Sequence, residues 1–226
     1  MRWFLHGALG LPGDWDPWYV KGDVGVSLYD EVVSFDEWAA SFCARVKAVD
    51  AAPVLVGYSM GGRLALHALL ADPGMWARAV LVSAHTGLAI PEERETRLTN
   101  DRVWAEKVRE LPWEGFLAEW NAQPVFEGTM GALAGRADLE TRRAAVATAF
   151  DEWSLGRQDD LLPALGRLDF PVTWVVGERD VRFVSIARTA VENLPQGRLE
   201  IVSDAGHRVP WDQPECFRTF VCADFG

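Results

Sequence analysis

The stretch Gly57-Tyr58-Ser59-Met60-Gly61 is the first place in this sequence where residue type and spacing together could carry chemistry. The pattern G-x-S-x-G puts a hydroxyl on a sharp turn between a strand and a helix, with the glycines relieving the crowding around it. Five matching residues arise readily by chance, but the flanks fit. "PVLV" before the serine is a buried-strand pattern and "LALHALLA" after it is a helical one. A serine needs a base, and the base needs an acid to orient it. In this arrangement the acid comes before the histidine along the chain. Asp180 ends "WVVGERD", just past a strand, where ligand-facing loops collect in open α/β sheets. Glu178 and Asp204 compete for the same role. Of the four histidines, His6 precedes a loop glycine, His67 falls within a helix and His85 lies just before a helical insertion. His207, in "SDAGHRVPW", has both the right order and a loop setting. Two backbone N–H groups are expected to stabilise an oxyanion at Ser59. One is Met60, at the start of the helix, and the other is Ala8, in the loop after the first strand.

Arg63 raises a separate question. It sits in the first turn of the helix after Ser59, where the helix dipole disfavours a cation unless an anion lies nearby. That anion is a neighbouring carboxylate or a bound ligand. Farther on, Arg94 and Arg97 share one helical face, and Asp101 lies four residues beyond Arg97, where it could neutralise it as an ordinary pair.

These side chains need a frame to hold them. Strand patterns occur at "RWFLHG", "VGVSLYD", "PVLVGYS", "RAVLVSA", "PVTWVVG" and "RLEIVS". Between them lie helical patterns at "SFDEWAASFCARVKAV", with Ser34 as its N-cap, at "MGGRLALHALLA" and at "SIARTAVENL". A last helix is predicted near "PECFRTFVCADF". From about residue 87 to 163 the spacing is helical throughout. Alternating strand and helix predicts an α/β class with a mostly parallel sheet flanked by helices. The reading is one domain, with its core at about 1–86 and 164–226 and a helical cap at about 87–163.

The 226 residues carry 22 basic and 33 acidic side chains, a net charge of −11. Such a surplus argues against nucleic-acid binding and against adhesion to anionic membranes. The three cysteines, Cys43, Cys216 and Cys222, form no metal-binding spacing and read as reduced thiols. The apolar run at the N-terminus is too short for a signal peptide and no stretch is long enough to span a membrane, so a cytoplasmic location is expected.

Together, "GYSMGGR", "GERDVRF" and "AGHRVP" resemble the α/β-hydrolase superfamily. "HTGL", "ERETRLTNDRVWA" and "WNAQPVF" are more specific, and resemble the 2-succinyl-6-hydroxy-2,4-cyclohexadiene-1-carboxylate synthases of menaquinone biosynthesis. The likeness runs from about residue 4 to the end of the chain. It implies an elimination: a ring proton is abstracted and pyruvate leaves from an enolpyruvyl ether. Ser59 would then be the base, relayed through His207 and Asp180. By the same resemblance Tyr58, Arg63, Arg97 and Trp120 bind a substrate with three carboxylates, for which arginine forks are suited. No metal or organic cofactor is implied, and oligomeric state is left open. A further cap arginine of that family corresponds to Arg136, Arg142 or Arg143. The chain departs from the superfamily in lacking two leading strands and in having "YDEVVSF" where a Pro-Gly-His-Gly turn is common. A serine carboxylesterase, such as one acting on a carrier-protein methyl ester, would use the same triad. A ligand-binding module with a vestigial site is a third reading, which an intact triad disfavours.

Overall fold

Apolar runs rich in valine and leucine, separated by amphipathic segments, pack best as parallel strands covered on both faces by helices. The computed structural model has this arrangement and describes residues 1–127, 129 and 136–222. Its strands are β1 (Arg2–Leu5), β2 (Val24–Val26), β3 (Val54–Tyr58), β4 (Arg78–Val82), β5 (Val172–Gly177) and β6 (Gly197–Val202). They form one sheet in the order β2-β1-β3-β4-β5-β6, and every neighbouring pair is parallel. The helices are α1 (Phe35–Lys47), α2 (Met60–Ala71), α3 (Pro91–Glu110), α4 (Trp113–Asn121), α5 (Ala137–Glu140), α6 (Arg143–Glu152), α7 (Val181–Glu192), α8 (Val209–Asp212) and α9 (Pro214–Cys222). Ser34 caps α1 as expected. Its hydroxyl accepts the Glu37 N–H, and the Glu37 carboxylate takes the Ser34 N–H in return.

Two boundaries differ from the sequence reading. β2 stops at Val26, and Leu28–Asp30 turns as a short 3-10 segment. There the Leu28 N–H is taken by His6 Nε2 at 3.2 Å, and the Tyr29 hydroxyl accepts the Leu9 N–H at 2.8 Å. α7 begins at Val181, immediately after Asp180, rather than near Ser185. The last helix, α9, opens at Pro214 as predicted, and a short α8 precedes it because Pro214 cannot donate an N–H to continue α8. The end of that predicted helix, residues 223–226, lies outside the described residues.

Adjacent residues of β3 point to opposite faces, so Leu55 and Val56 enter different cores. The larger core joins Leu55, Leu64, Leu81 and Trp174 to Ala105, Phe116 and Val146 of the segment between β4 and β5. The described helices of that segment, α3 to α6, therefore share the apolar core of the sheet. The smaller core packs Phe4, Trp15, Trp18 and Phe217 on the other face. Within the described residues no helix is long and apolar enough to cross a membrane.

Candidate active site

β3 ends at Tyr58 and α2 begins at Met60, leaving Ser59 alone in the turn at φ +52° and ψ −112°. That conformation is strained for a residue with a Cβ and persists only when the surroundings enforce it. The flanking glycines are part of that enforcement. A Cβ on Gly57 would lie 2.7 Å from the Gly61 carbonyl oxygen, and one on Gly61 would lie 2.4 Å from that of His6.

Ser59 Oγ is 3.0 Å from His207 Nε2, and His207 Nδ1 is 2.7 Å from Asp180 Oδ2. The carboxylate holds the ring proton on Nδ1, which leaves Nε2 to accept from the Ser59 hydroxyl. Asp180 directly precedes α7, and the Ser83 hydroxyl donates to the His207 carbonyl at 3.0 Å, pinning the loop after β6. The two competing acids are engaged elsewhere. Glu178 accepts the Asp204 N–H, and Asp204 pairs with Arg179 at 2.7 Å.

Ala8 and Met60 line the cleft beside Ser59. Met60 is the first residue of α2, where a backbone N–H has no intrahelical acceptor. The loop bearing Ala8 is tied down by the Gly10 N–H on the Gly7 carbonyl at 3.0 Å. His6 reinforces it, with Nδ1–H donating to the same carbonyl at 2.9 Å while Nε2 accepts from Leu28. Burial pushes the His6 pKa down to about 4, which keeps one donor and one acceptor on the ring.

The cleft holds about 450 Å³ between Ser59 and the helices of the 87–163 segment, and it includes Arg63, His85, Arg97, Trp120 and Arg182. Arg63 is half-buried, and no acidic side chain occupies the first turn of α2 beside it. It donates to Gln158 Oε1 at 3.5 Å and stands over the Phe35 ring at 5.6 Å. Burial first, then the nearby Arg97, push its guanidinium down to about 9, against the pull of Asp101. Arg97 is paired with Asp101, as its spacing allowed, but through Nε alone, at 2.9 and 2.8 Å to the two carboxylate oxygens. Its terminal amino groups meet no acceptor among the described residues. Asp101 is further held by the Ser154 hydroxyl at 2.7 Å. Trp120 lies edge-on to Trp104 and Phe150, with centroids 5.2 and 5.1 Å away, and its indole N–H meets no acceptor among the described residues.

Tyr58 is not brought to this cleft. Its ring packs behind the triad, 5.8 Å from His207 and 5.1 Å from Trp211, and lines a smaller neighbouring cavity of about 20 Å³. As the last residue of β3 it points to the face opposite Gly57, which carries it under the histidine loop. The three candidate cap arginines are also elsewhere. Arg136 is buried in a fork with Asp14, at 2.7 and 3.0 Å. Arg142 pairs with Asp30 and donates to Ser27, and Arg143 reaches the Leu111 carbonyl at 2.8 Å.

Several side chains in or beside the cleft escaped the sequence reading. Gln158 is fully buried and joins Arg63 to the His85 carbonyl, but "GRQDD" carries no pattern that marks it. Arg182 was findable, since it stands two residues after Asp180 at a helix start. Arg208, next to His207, stacks on Phe126 at 4.1 Å and donates to Asn121 at 2.7 Å, tying the histidine loop to the helical segment. Among the described residues no group of His, Cys, Asp or Glu is arranged to hold a metal ion.

Residues 4–215 match the model of the alpha/beta hydrolase family. The 2-succinyl-6-hydroxy-2,4-cyclohexadiene-1-carboxylate synthase of Serratia proteamaculans is 33% identical, covering 95% of this chain and 88% of its own. The synthase of the same name from Yersinia pestis (strain Pestoides F) is 33% identical over 97% and 85% of the two chains. Among solved structures, MenH from S. aureus superposes with a TM-score of 0.84 over 98% of this chain and 91% of its own, at 22% identity. An esterase from Exiguobacterium antarcticum reaches 0.71 over 98% and 90%, at 17% identity. These last two likenesses speak to the fold.

Proposed function

The chain belongs to the alpha/beta hydrolase family, within its 2-succinyl-6-hydroxy-2,4-cyclohexadiene-1-carboxylate synthase branch, and we infer that it catalyses the reaction for which those relatives are named. It is a carbon–oxygen lyase of menaquinone biosynthesis, eliminating pyruvate from a succinyl enolpyruvyl cyclohexene carboxylate. The observation that carries this reading to the site is the group of cations beside Ser59. Arg63 and Arg97 line the same cleft, and a bound carboxylate would offset the burial, and after it the repulsion from Arg97, that lower the Arg63 pKa. A neutral ester bound there would leave Arg63 without an anionic partner among the described residues.

In the proposed mechanism His207 Nε2 takes the Ser59 proton, and the alkoxide removes a proton from the substrate ring. The electron pair forms the ring double bond as the carbon–oxygen bond to the enolpyruvyl group breaks. His207 returns its proton to the departing oxygen, and the enol released becomes pyruvate. Asp180 stabilises the intermediate imidazolium. Negative charge on a substrate oxygen in the transition state would fall on the N–H groups of Ala8 and Met60. Arg63 and Arg97 hold carboxylates, Trp120 packs against the ring, and residues 87–163 act as the cap over it.

Pyruvate release from the enzymatically generated precursor, measured with a coupled dehydrogenase, is the test. Turnover without any covalent Ser59 adduct in quenched mixtures is the expected result. An acyl group trapped on Ser59 from the natural substrate would instead establish the esterase reading.

A further inference from the structure

His85 lies in the cleft with Ser59 and His207, yet the proton transfers just described do not use it. Its ring packs edge-on against Phe183 at 6.1 Å, the same ring that packs against His207 at 4.6 Å. The Gly87 N–H donates to His85 Nδ1 at 3.1 Å. A neutral imidazole whose Nδ1 accepts must carry its proton on Nε2. Burial first, then Arg182, Arg63 and Arg97, push the pKa down to about 3, so the ring stays neutral wherever the enzyme is folded and working.

The backbone around the ring is equally fixed. Gln158 Nε2 donates to the His85 carbonyl at 3.0 Å, and the Leu161 N–H reaches the Thr86 carbonyl at 2.7 Å. Gly87 has φ +110°, and a Cβ there would lie 2.0 Å from the Asp159 carbonyl oxygen. The turn that feeds Nδ1 therefore requires glycine. Among the described residues no acceptor takes the Nε2–H, and the atom is not one of the fully enclosed unpaired ones, so it stays open to the cleft. A rigid donor in a cleft, with its own partner missing, is a preorganised contact for a ligand.

We propose that His85 determines specificity by donating its Nε2–H to an uncharged oxygen of the bound substrate, a carbonyl or ether oxygen adjacent to a carboxylate held by the arginines. The arginines already serve the charged oxygens. A neutral donor among them can bind a neutral acceptor without adding another cation to the cluster. This inference rests on the carboxylate-binding reading of the cleft.

Two substitutions separate the donor from the turn. In His85→Gln the amide nitrogen takes the place of Nε2, so the donor survives while the acceptor for Gly87 is removed. In His85→Asn the amide oxygen takes the place of Nδ1, so the turn survives and the donor is removed. His85→Asn is expected to lower kcat/KM for pyruvate release by roughly three- to tenfold or more, the range of one hydrogen bond, while His85→Gln recovers most of it. Calorimetry with glutarate and 2-oxoglutarate, which differ by one ketone oxygen, gives a readout independent of turnover. Wild type and His85→Gln should prefer 2-oxoglutarate by roughly three- to tenfold, and His85→Asn should show no preference. The reverse order of the two variants would assign His85 to the turn alone. Equal loss in both, loss in neither, or no ketone preference in the wild type would also overturn the proposal. A ketone preference that depends on His85, in a protein that releases no pyruvate, would uphold the contact and defeat the lyase reading.

Discussion

At the residue scale, Ser59, His207 and Asp180 form one hydrogen-bonded chain of 3.0 and 2.7 Å, so they should fail as a unit. Ser59→Ala and His207→Ala are each expected to lower kcat by about a thousandfold or more, and the double variant should be little worse than either. Multiplicative losses in steady-state pyruvate release would refute the relay. Arg63→Ala should cost about 2–4 kcal/mol of transition-state stabilisation, the scale of a charged hydrogen bond in a buried site. Arg63→Lys should recover part of that, because a point charge does not reproduce the fork. Any residual cleavage of a neutral ester should be spared, whereas an equal fall in both activities would make Arg63 a structural residue. The triad was legible in the sequence because serine, acid and histidine each carry a local pattern. The position of the Tyr58 ring, in the smaller cavity rather than the main cleft, was not legible for a simple reason. Adjacency to Ser59 says nothing about side-chain direction at the end of a strand, where successive residues face opposite ways.

At the element scale, the strained turn between β3 and α2 depends on absent side chains. Gly61→Ala would push a methyl group to 2.4 Å from the His6 carbonyl, on the very loop that presents Ala8. The expected result is a loss of more than about 2 kcal/mol in denaturant unfolding, together with lower kcat, since the loop must move to make room. A stable, fully active Gly61→Ala protein would show that the loop yields freely. Strands and helices were readable here because buried parallel strands are apolar runs and the helices alternate with them. The split between α8 and α9 was also written in the sequence, at Pro214. The fates of Arg136, Arg142 and Arg143 were not, because their partners Asp14, Asp30 and the Leu111 carbonyl are distant in the chain or belong to the backbone. Long-range pairing leaves no periodic trace.

For the whole molecule, the larger core runs without a break from the sheet into α3, α4 and α6. Thermal unfolding should therefore be one transition, with far-ultraviolet circular dichroism and tryptophan fluorescence coincident. Two separated transitions would mean that the helical segment opens by itself. Acid should also weaken the fold in a defined window. His6 titrates near 6.5 when unfolded and at about 4 when folded, so between those values the unfolded chain binds protons that the folded chain excludes. Stability is then full above pH 6.5 and falls as the pH drops towards 4, by at most about 1.4 kcal/mol per pH unit for this group. Urea titrations across that range should show the slope, and His6→Asn should make it shallower, with buried His85 supplying part of what remains; an unchanged slope would show that His6 does not contribute.

The fork between Arg136 and Asp14 constrains descent as well as structure. It joins the helical segment to the loop after β1, and both side chains are about nine-tenths removed from solvent. Removing either partner alone strands a charge in the interior, whereas replacing both with apolar groups of similar volume is often neutral. Single mutational steps at either position are therefore blocked while the double step is open. The two positions should be inherited together, charged in some lineages and apolar in others, with mixed pairs purged.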